Sequence, residues 1–292
     1  MTDSPSAPTP RTDPLLERSL LDVGIPPCPD ILNRIRIEMS KEEPDFNRLT
    51  DIISADVALS AGLIKTTNSP YFARTQRARS VHDALSILGL RIASHTIAGI
   101  ILRGIFPSSP VMFRFWDSSA RTARLCAWLA HKLDIHEFNA DDAYTFGLFH
   151  DCGIPVLIGR FPEYKDILGE ANRDVVNEFT KWEDEKLQTN HTVVGNVLAQ
   201  NWWLPEEMCL AIRHHHNLTA LNPYSSLPRT SRLFIATTQF AEHIAQQQLG
   251  LDTTQEWPKL GSACLQILGI DEEDLEFIYT ESKQIVSAHS AV

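Results

Sequence analysis

Past Leu15 the apolar residues recur at helical spacing and almost nowhere in alternation, a pattern that commits the chain to an all-α fold. Asp45 can cap a helix carrying Phe46, Leu49, Ile52 and Ile53 on one face. Asp56 opens another with Leu59, Leu63 and Ile64, and Asn68-Ser69-Pro70 stops it. Ser80-Val81-His82-Asp83 has the form of a capping box, in which hydroxyl and carboxylate each satisfy a free backbone N–H. The same periodicity predicts helices over 91–105, 113–133, 140–150, 174–188, 191–202, 206–216, 229–247 and 272–287. Pro107 and Pro110 interrupt it, which places a boundary between a helical part over 15–106 and a second over 107–292.

Charge and composition narrow what such a bundle can do. The 26 basic against 37 acidic residues give a net charge of −11, which argues against broad nucleic-acid binding. Eight arginines nevertheless stand between Tyr71 and Arg124 against only Asp83 and Asp117, so Arg74, Arg77 and Arg79 are a candidate surface for a phosphate or an acidic partner. Five widely spaced cysteines, with no pair at zinc-knuckle spacing, suit a reducing cytoplasm. Residues 1–14 are rich in Ser, Thr and Pro and read as a disordered tail rather than a leader. The longest apolar run considered, Ile92 to Ile105, is too short to cross a membrane and contains His95 and Arg103. The expected location is the cytoplasm, with no membrane partner.

The chemistry concentrates on histidine. His82-Asp83 is explained by capping. His150-Asp151 is different: it follows the apolar Phe146-Gly147-Leu148-Phe149, is expected to be buried, and precedes Gly153, where the chain can turn. A buried carboxylate needs partners, either a cation or neighbouring imidazole and backbone groups, and the residues leave both open. His191 heads a helix with Val194, Leu198 and Trp202 on one face, and His215 shares a face with Met208, Ala211 and Ile212, so both should point inward beside His216. No P-loop, dinucleotide-binding glycine turn or nucleophile elbow occurs. Cys152 is no nucleophile, because Asp151 beside it raises its pKa. Trp116, Trp128, Trp202 and Trp203 fit packing on helix faces.

Several pieces fall in one order: Pro26-Pro27 with Pro29, Asp56 with Leu59, Asn68-Ser69 with Tyr71, and Ala84 before Leu88-Gly89-Leu90. They continue with Phe115-Trp116, Gly147-Leu148, His150-Asp151, Gly153, Glu183, His191 with Gly195, Trp202 before Leu204-Pro205, and Ala211-Ile212 before His215-His216. From about Leu21 to Ala245 this set resembles the HDOD family, the HD-related output domain of bacterial signalling proteins. The resemblance implies an all-α HD-like helical bundle with an additional N-terminal helical bundle packed against it.

In the wider HD superfamily, the resemblance implies, a metal is held by an early His, the His-Asp pair and a late Asp. Here Ser118 and Thr237 stand in those first and last places, no acidic residue occurs from Leu218 to Ala241, and Glu242 is expected to lie too far along. Hydroxyls are poor ligands for a divalent cation. His150, Asp151, His191, His215 and His216 are therefore expected to line a remnant pocket with no cofactor and no catalysis. Related HD phosphodiesterases use further histidines for a second metal, which leaves a weak or non-standard divalent site open here. The Gly-x-Gly-Tyr-Pro-type run of cyclic-dinucleotide phosphodiesterases is absent after His216. The expected role is regulatory, through contacts with other signalling proteins and with a nucleotide ligand left open, as is self-association. The alternatives are a metal-dependent phosphohydrolase and a phosphate or nucleic-acid binder using the 74–124 arginines.

Overall fold

The computed structural model describes residues 23–69, 72, 76–136, 138–251 and 254–287; the predicted tail over 1–14 and Arg74 lie outside them. No strand occurs among the described residues. The first helices are α1 (Asp30–Met39), α2 (Phe46–Ser54), α3 (Val57–Thr67) and α4 (Val81–Ile105). The middle of the chain forms α5 (Pro110–Leu133), α6 (Ala140–Phe149), α7 (Gly153–Arg160), α8 (Tyr164–Arg173) and α9 (Lys181–Leu187). Then follow α10 (His191–Asn201), α11 (Glu206–His214), α12 (Arg229–Leu249), α13 (Glu256–Leu268) and α14 (Glu272–Ser287).

The caps act as the sequence implies. Asp45 accepts from the Asn47 and Arg48 N–H groups, Asp56 from Leu59, and Ser80 with Asp83 closes a reciprocal capping box. Asn68 ends α3, and its side-chain amide brackets Ala78, donating to the carbonyl and accepting from the N–H at 2.8 Å each. Asp45→Ala is expected to cost about 1 kcal/mol by orphaning two amides, read as a small drop in melting temperature with unchanged helix content at 20 °C.

Several elements differ from expectation. Ser109 caps α5 and Pro110 takes its first position, so the prolines begin this helix three residues ahead of the predicted start. The span 174–188 is no single helix: Asp174 accepts from the Val176 and Asn177 N–H groups and from the Trp182 indole, which turns the chain before α9.

α4 is longer than predicted, and by length and composition alone it could cross a membrane. It is broken at Gly89, which takes φ 72°, a conformation glycine adopts without strain. The kinked helix packs against α1, α2, α3 and α6. The main core runs through both parts of the chain, from Leu32 to Val286. A second cluster, built on Leu157, Tyr164, Ile167 and Val194, joins α7, α8 and α10.

Candidate functional site

α6 ends at His150, and three residues later α7 begins at Gly153. This corner places two successive side chains, His150 and Asp151, in one void. The corner is possible because α7 lies on α10 backbone to backbone: a Cβ at Gly153 would sit 2.1 Å from the His191 carbonyl oxygen. Gly153 is thus required by close approach; it lies inside a helix rather than at the expected free turn.

The imidazoles are oriented from behind. The Nδ1 atom of His150 lies 2.9 Å from the Gly147 carbonyl, and that of His215 lies 2.8 Å from the Ile212 carbonyl. His191 Nδ1 lies 2.8 Å from the Glu183 carboxylate, which is wholly buried and also accepts from the Tyr164 hydroxyl. His216 Nδ1 lies 2.6 Å from Glu256, and its ring stacks on Phe179. Carbonyls and carboxylates only accept, so these partners assign the proton to Nδ1 in every ring. Each Nε2 is then left for the interior.

Asp151 receives them on both oxygens. Its Oδ1 lies 3.3 Å from His215 Nε2 and 3.5 Å from His191 Nε2, while Oδ2 lies 3.3 Å from His150 Nε2. Glu242 Oε1 stands 3.1 Å from the same His150 nitrogen. Two groups of ligand atoms result, Asp151 with His191, His215 and His216, and His150 with Asp151 and Glu242. Within each group all the atoms lie within 4.8 Å of one another.

Charge is balanced within this small volume. Burial alone would push the His150 imidazole down, but Asp151 and Glu242 hold it well above the usual range. Burial would raise Asp151, yet His150 and its neighbours keep its carboxyl well below the carboxylate range. Burial, followed by the neighbouring His216, drops His215 to about 3, which leaves it a neutral imidazole with a free lone pair. Burial foremost, then the charge of Asp151, raises the Cys152 thiol, so it carries no thiolate.

The five residues named from the sequence therefore meet, and Glu242 meets them too, contrary to its expected distance. Thr237 and Glu242 are five residues apart on α12, about 7.5 Å along its axis. Helical side chains lean toward the N-terminus, so the longer glutamate reaches back over the gap. Thr237 is buried, and its hydroxyl has no hydrogen-bond partner among the described residues. Ser118 lines a cavity of about 240 Å³ that opens onto Asp151, His216, Glu242 and Arg121. Arg121 is paired with Asp117 at 2.5 Å. Arg77 and Arg79 are exposed ahead of α4 and do not line this cavity. The roles of Tyr164 and Glu256 carried no local signal, because each acts on a residue far away in the chain.

The donor set suits a divalent cation. Imidazole nitrogens anchored through Nδ1 and grouped about a carboxylate are the arrangement that zinc, manganese and iron accept. Glu183→Gln, which weakens the hold on His191 while keeping its shape, is expected to reduce cation affinity about 10–100-fold, as read by competition with a fluorescent chelator.

The HDOD domain family matches residues 25–218. An uncharacterized protein of Treponema pallidum (strain Nichols) is 30% identical over 223 residues, covering 74% of this chain and 41% of that protein. The chain thus spans about two fifths of that relative's length. A solved structure from Shewanella amazonensis SB2B, named "Putative phosphohydrolase", superposes with a TM-score of 0.64 at 20% identity, covering 92% of this chain and 98% of its own. Another from Marinobacter aquaeolei VT8, named "Putative signal transduction protein", gives a TM-score of 0.66 at 22% identity, covering 95% and 61%. At these identities the two likenesses establish the shared fold.

Proposed function

The chain belongs to the HDOD family, and from that premise we propose that it is a non-catalytic regulatory domain whose His-Asp pocket holds a divalent cation. The observation that carries the reading is the convergence of the His150, His191 and His215 Nε2 atoms, each fixed through Nδ1, on the two oxygens of Asp151. This goes further than the remnant pocket expected from the lost ligands, because Glu242 and the second histidine group compensate for Ser118 and Thr237.

Coordination number favours regulation. Asp151, His191, His215 and His216 supply four protein ligands, the number that fills a tetrahedral site and leaves no position for substrate. A cation held there would neutralise Asp151 and lock α6, α10 and α11 together. The protein would then act in the cytoplasm by presenting a metal-stiffened surface to other signalling proteins.

A second reading rests on the other half of the pocket. His150, Asp151 and Glu242 are only three ligands, and the cavity beside them contains Arg121. A second cation there would keep an open position and supply Lewis acidity toward a phosphoryl oxygen. Metal content separates the two readings. Full-length protein loaded with Mn²⁺, Fe²⁺ or Zn²⁺ and desalted should retain one equivalent and leave cyclic dinucleotides and bis(p-nitrophenyl) phosphate intact. Two equivalents with turnover that Asp151→Asn abolishes would establish the hydrolase. No retained metal under any loading would overturn both.

A further inference from the structure

Another cavity, of about 270 Å³, lies where the segment around α9, the start of α10 and the end of α11 meet. It shares only His216 with the two groups of candidate metal ligands. Among the described residues that line it, Val193 alone is aliphatic.

One wall carries a chain of hydrogen bonds. The Arg213 guanidinium donates to Thr192 Oγ1 at 3.1 Å, the Thr192 hydroxyl donates to Asn190 Oδ1 at 2.7 Å, and the Asn190 amide donates to Asp184 Oδ1 at 2.7 Å. A cation and an anion thus stand at its two ends, held apart by two neutral side chains. Neither has an ion pair among the described residues. Glu178, also without an ion pair there, is held by the Leu218 N–H at 3.2 Å. The His214 imidazole is pushed down by burial first and by Arg213 next, while Glu178 opposes, so both charges bear on the same ring.

Two hydroxyls border this cavity without a use. Thr180 and Thr189 are each 8% exposed, and neither side chain has a hydrogen-bond partner among the described residues. Unlike the sealed Thr237 hydroxyl, both oxygens reach open space, and the cavity is the space that they line. Each can donate and accept.

These walls discriminate between ligand classes. Two carboxylates against one guanidinium repel a phosphate dianion. No phenyl or indole lines the cavity for a nucleobase to stack on. A neutral sugar leaves the separated charges unmatched, and a polyamine leaves Arg213 unmatched. A small zwitterion satisfies both signs at once.

We propose that this cavity binds a free α-amino acid with a neutral polar side chain. The ligand's carboxylate pairs with Arg213, and its ammonium group pairs with Asp184, with Glu178 reinforcing the negative side. Its side chain exchanges hydrogen bonds with Thr180 and Thr189. The proposal does not depend on the metal reading, since His216 is assigned no contact.

Calorimetric titration of the full chain, dialysed against a chelator, with L-serine, L-asparagine and L-glutamine tests the assignment. At least one should bind, whereas inorganic phosphate should not. L-leucine should bind at least about tenfold more weakly than the tightest of the three, because it leaves both hydroxyls unpaired. Analogues of that amino acid lacking either the α-carboxylate or the α-ammonium group should each lose at least about tenfold. For asparagine these are β-alaninamide and succinamate, and neither comparison needs a variant that might fold poorly. Arg213→Gln and Asp184→Asn should each weaken binding at least about tenfold. No binding by any of the three, an analogue within threefold of its parent, or affinity undiminished in either variant would overturn the proposal. So would binding that requires an added divalent cation, which would move the ligand to the His-Asp pocket.

Discussion

Asp151→Ala is expected to reduce divalent-cation affinity by at least about a hundredfold, the largest single effect of any substitution at the pocket. Loss of an outer-shell partner commonly costs 10–100-fold, and Asp151 is a ligand candidate shared by both groups of donors. With its carboxylate gone, His191, His215 and His216 keep their orientation, because Glu183, the Ile212 carbonyl and Glu256 hold them from behind. What disappears is the negative charge that makes a cation welcome among the imidazoles. Metal analysis after dialysis, with circular dichroism to verify the fold, measures the effect. Affinity within threefold of the parent protein would remove Asp151 from the centre and with it the proposed function.

Gly153→Ala should destabilise the fold by about 3 kcal/mol or more, at the upper end of overpacking costs. The new methyl would meet backbone, with the His191 carbonyl at 2.1 Å and the Gly195 nitrogen at 2.8 Å, so no side-chain rotation relieves the clash. For a chain of this size that corresponds to a melting temperature lower by about 5 °C. Forcing α7 from α10 also displaces His191, so metal affinity should fall in parallel. Gly159, six residues along the same helix, faces open space. Gly159→Ala is expected to raise stability by up to about 1 kcal/mol. Equal effects at the two positions would contradict the close packing of α7 on α10.

What could be read from the sequence was governed by distance along the chain. Asp45, Asp56 and Ser80 act on amides two or three residues away, and each was legible as a cap. α7 and α13 were not, because Pro155 and Pro258 look like helix breakers. Both prolines occupy the third helical position, where the missing N–H has no intrahelical acceptor to lose. The His-Asp pocket was legible as to its histidines and Asp151, whose inward faces follow from helical periodicity. Glu242 was not, because counting positions along α12 fixes where the backbone lies but not how far a glutamate reaches. Trp203 was read as packing, since a left-handed backbone at a tryptophan leaves no mark in the residue pattern.

The break at Gly89 has a consequence for how such a chain can be recombined. The turns of α4 beyond it meet both α3, where Ile100 lies against Gly62, and α6, which leads into the His-Asp corner and is reached by Arg91 through Asp142 and by His95 through Thr145. A gene fusion that transplanted only the histidine-bearing half would leave behind Ile97 and Leu102, and the surface they cover on their neighbours would face water. The two halves can be inherited, shuffled or grafted onto other proteins only as one piece.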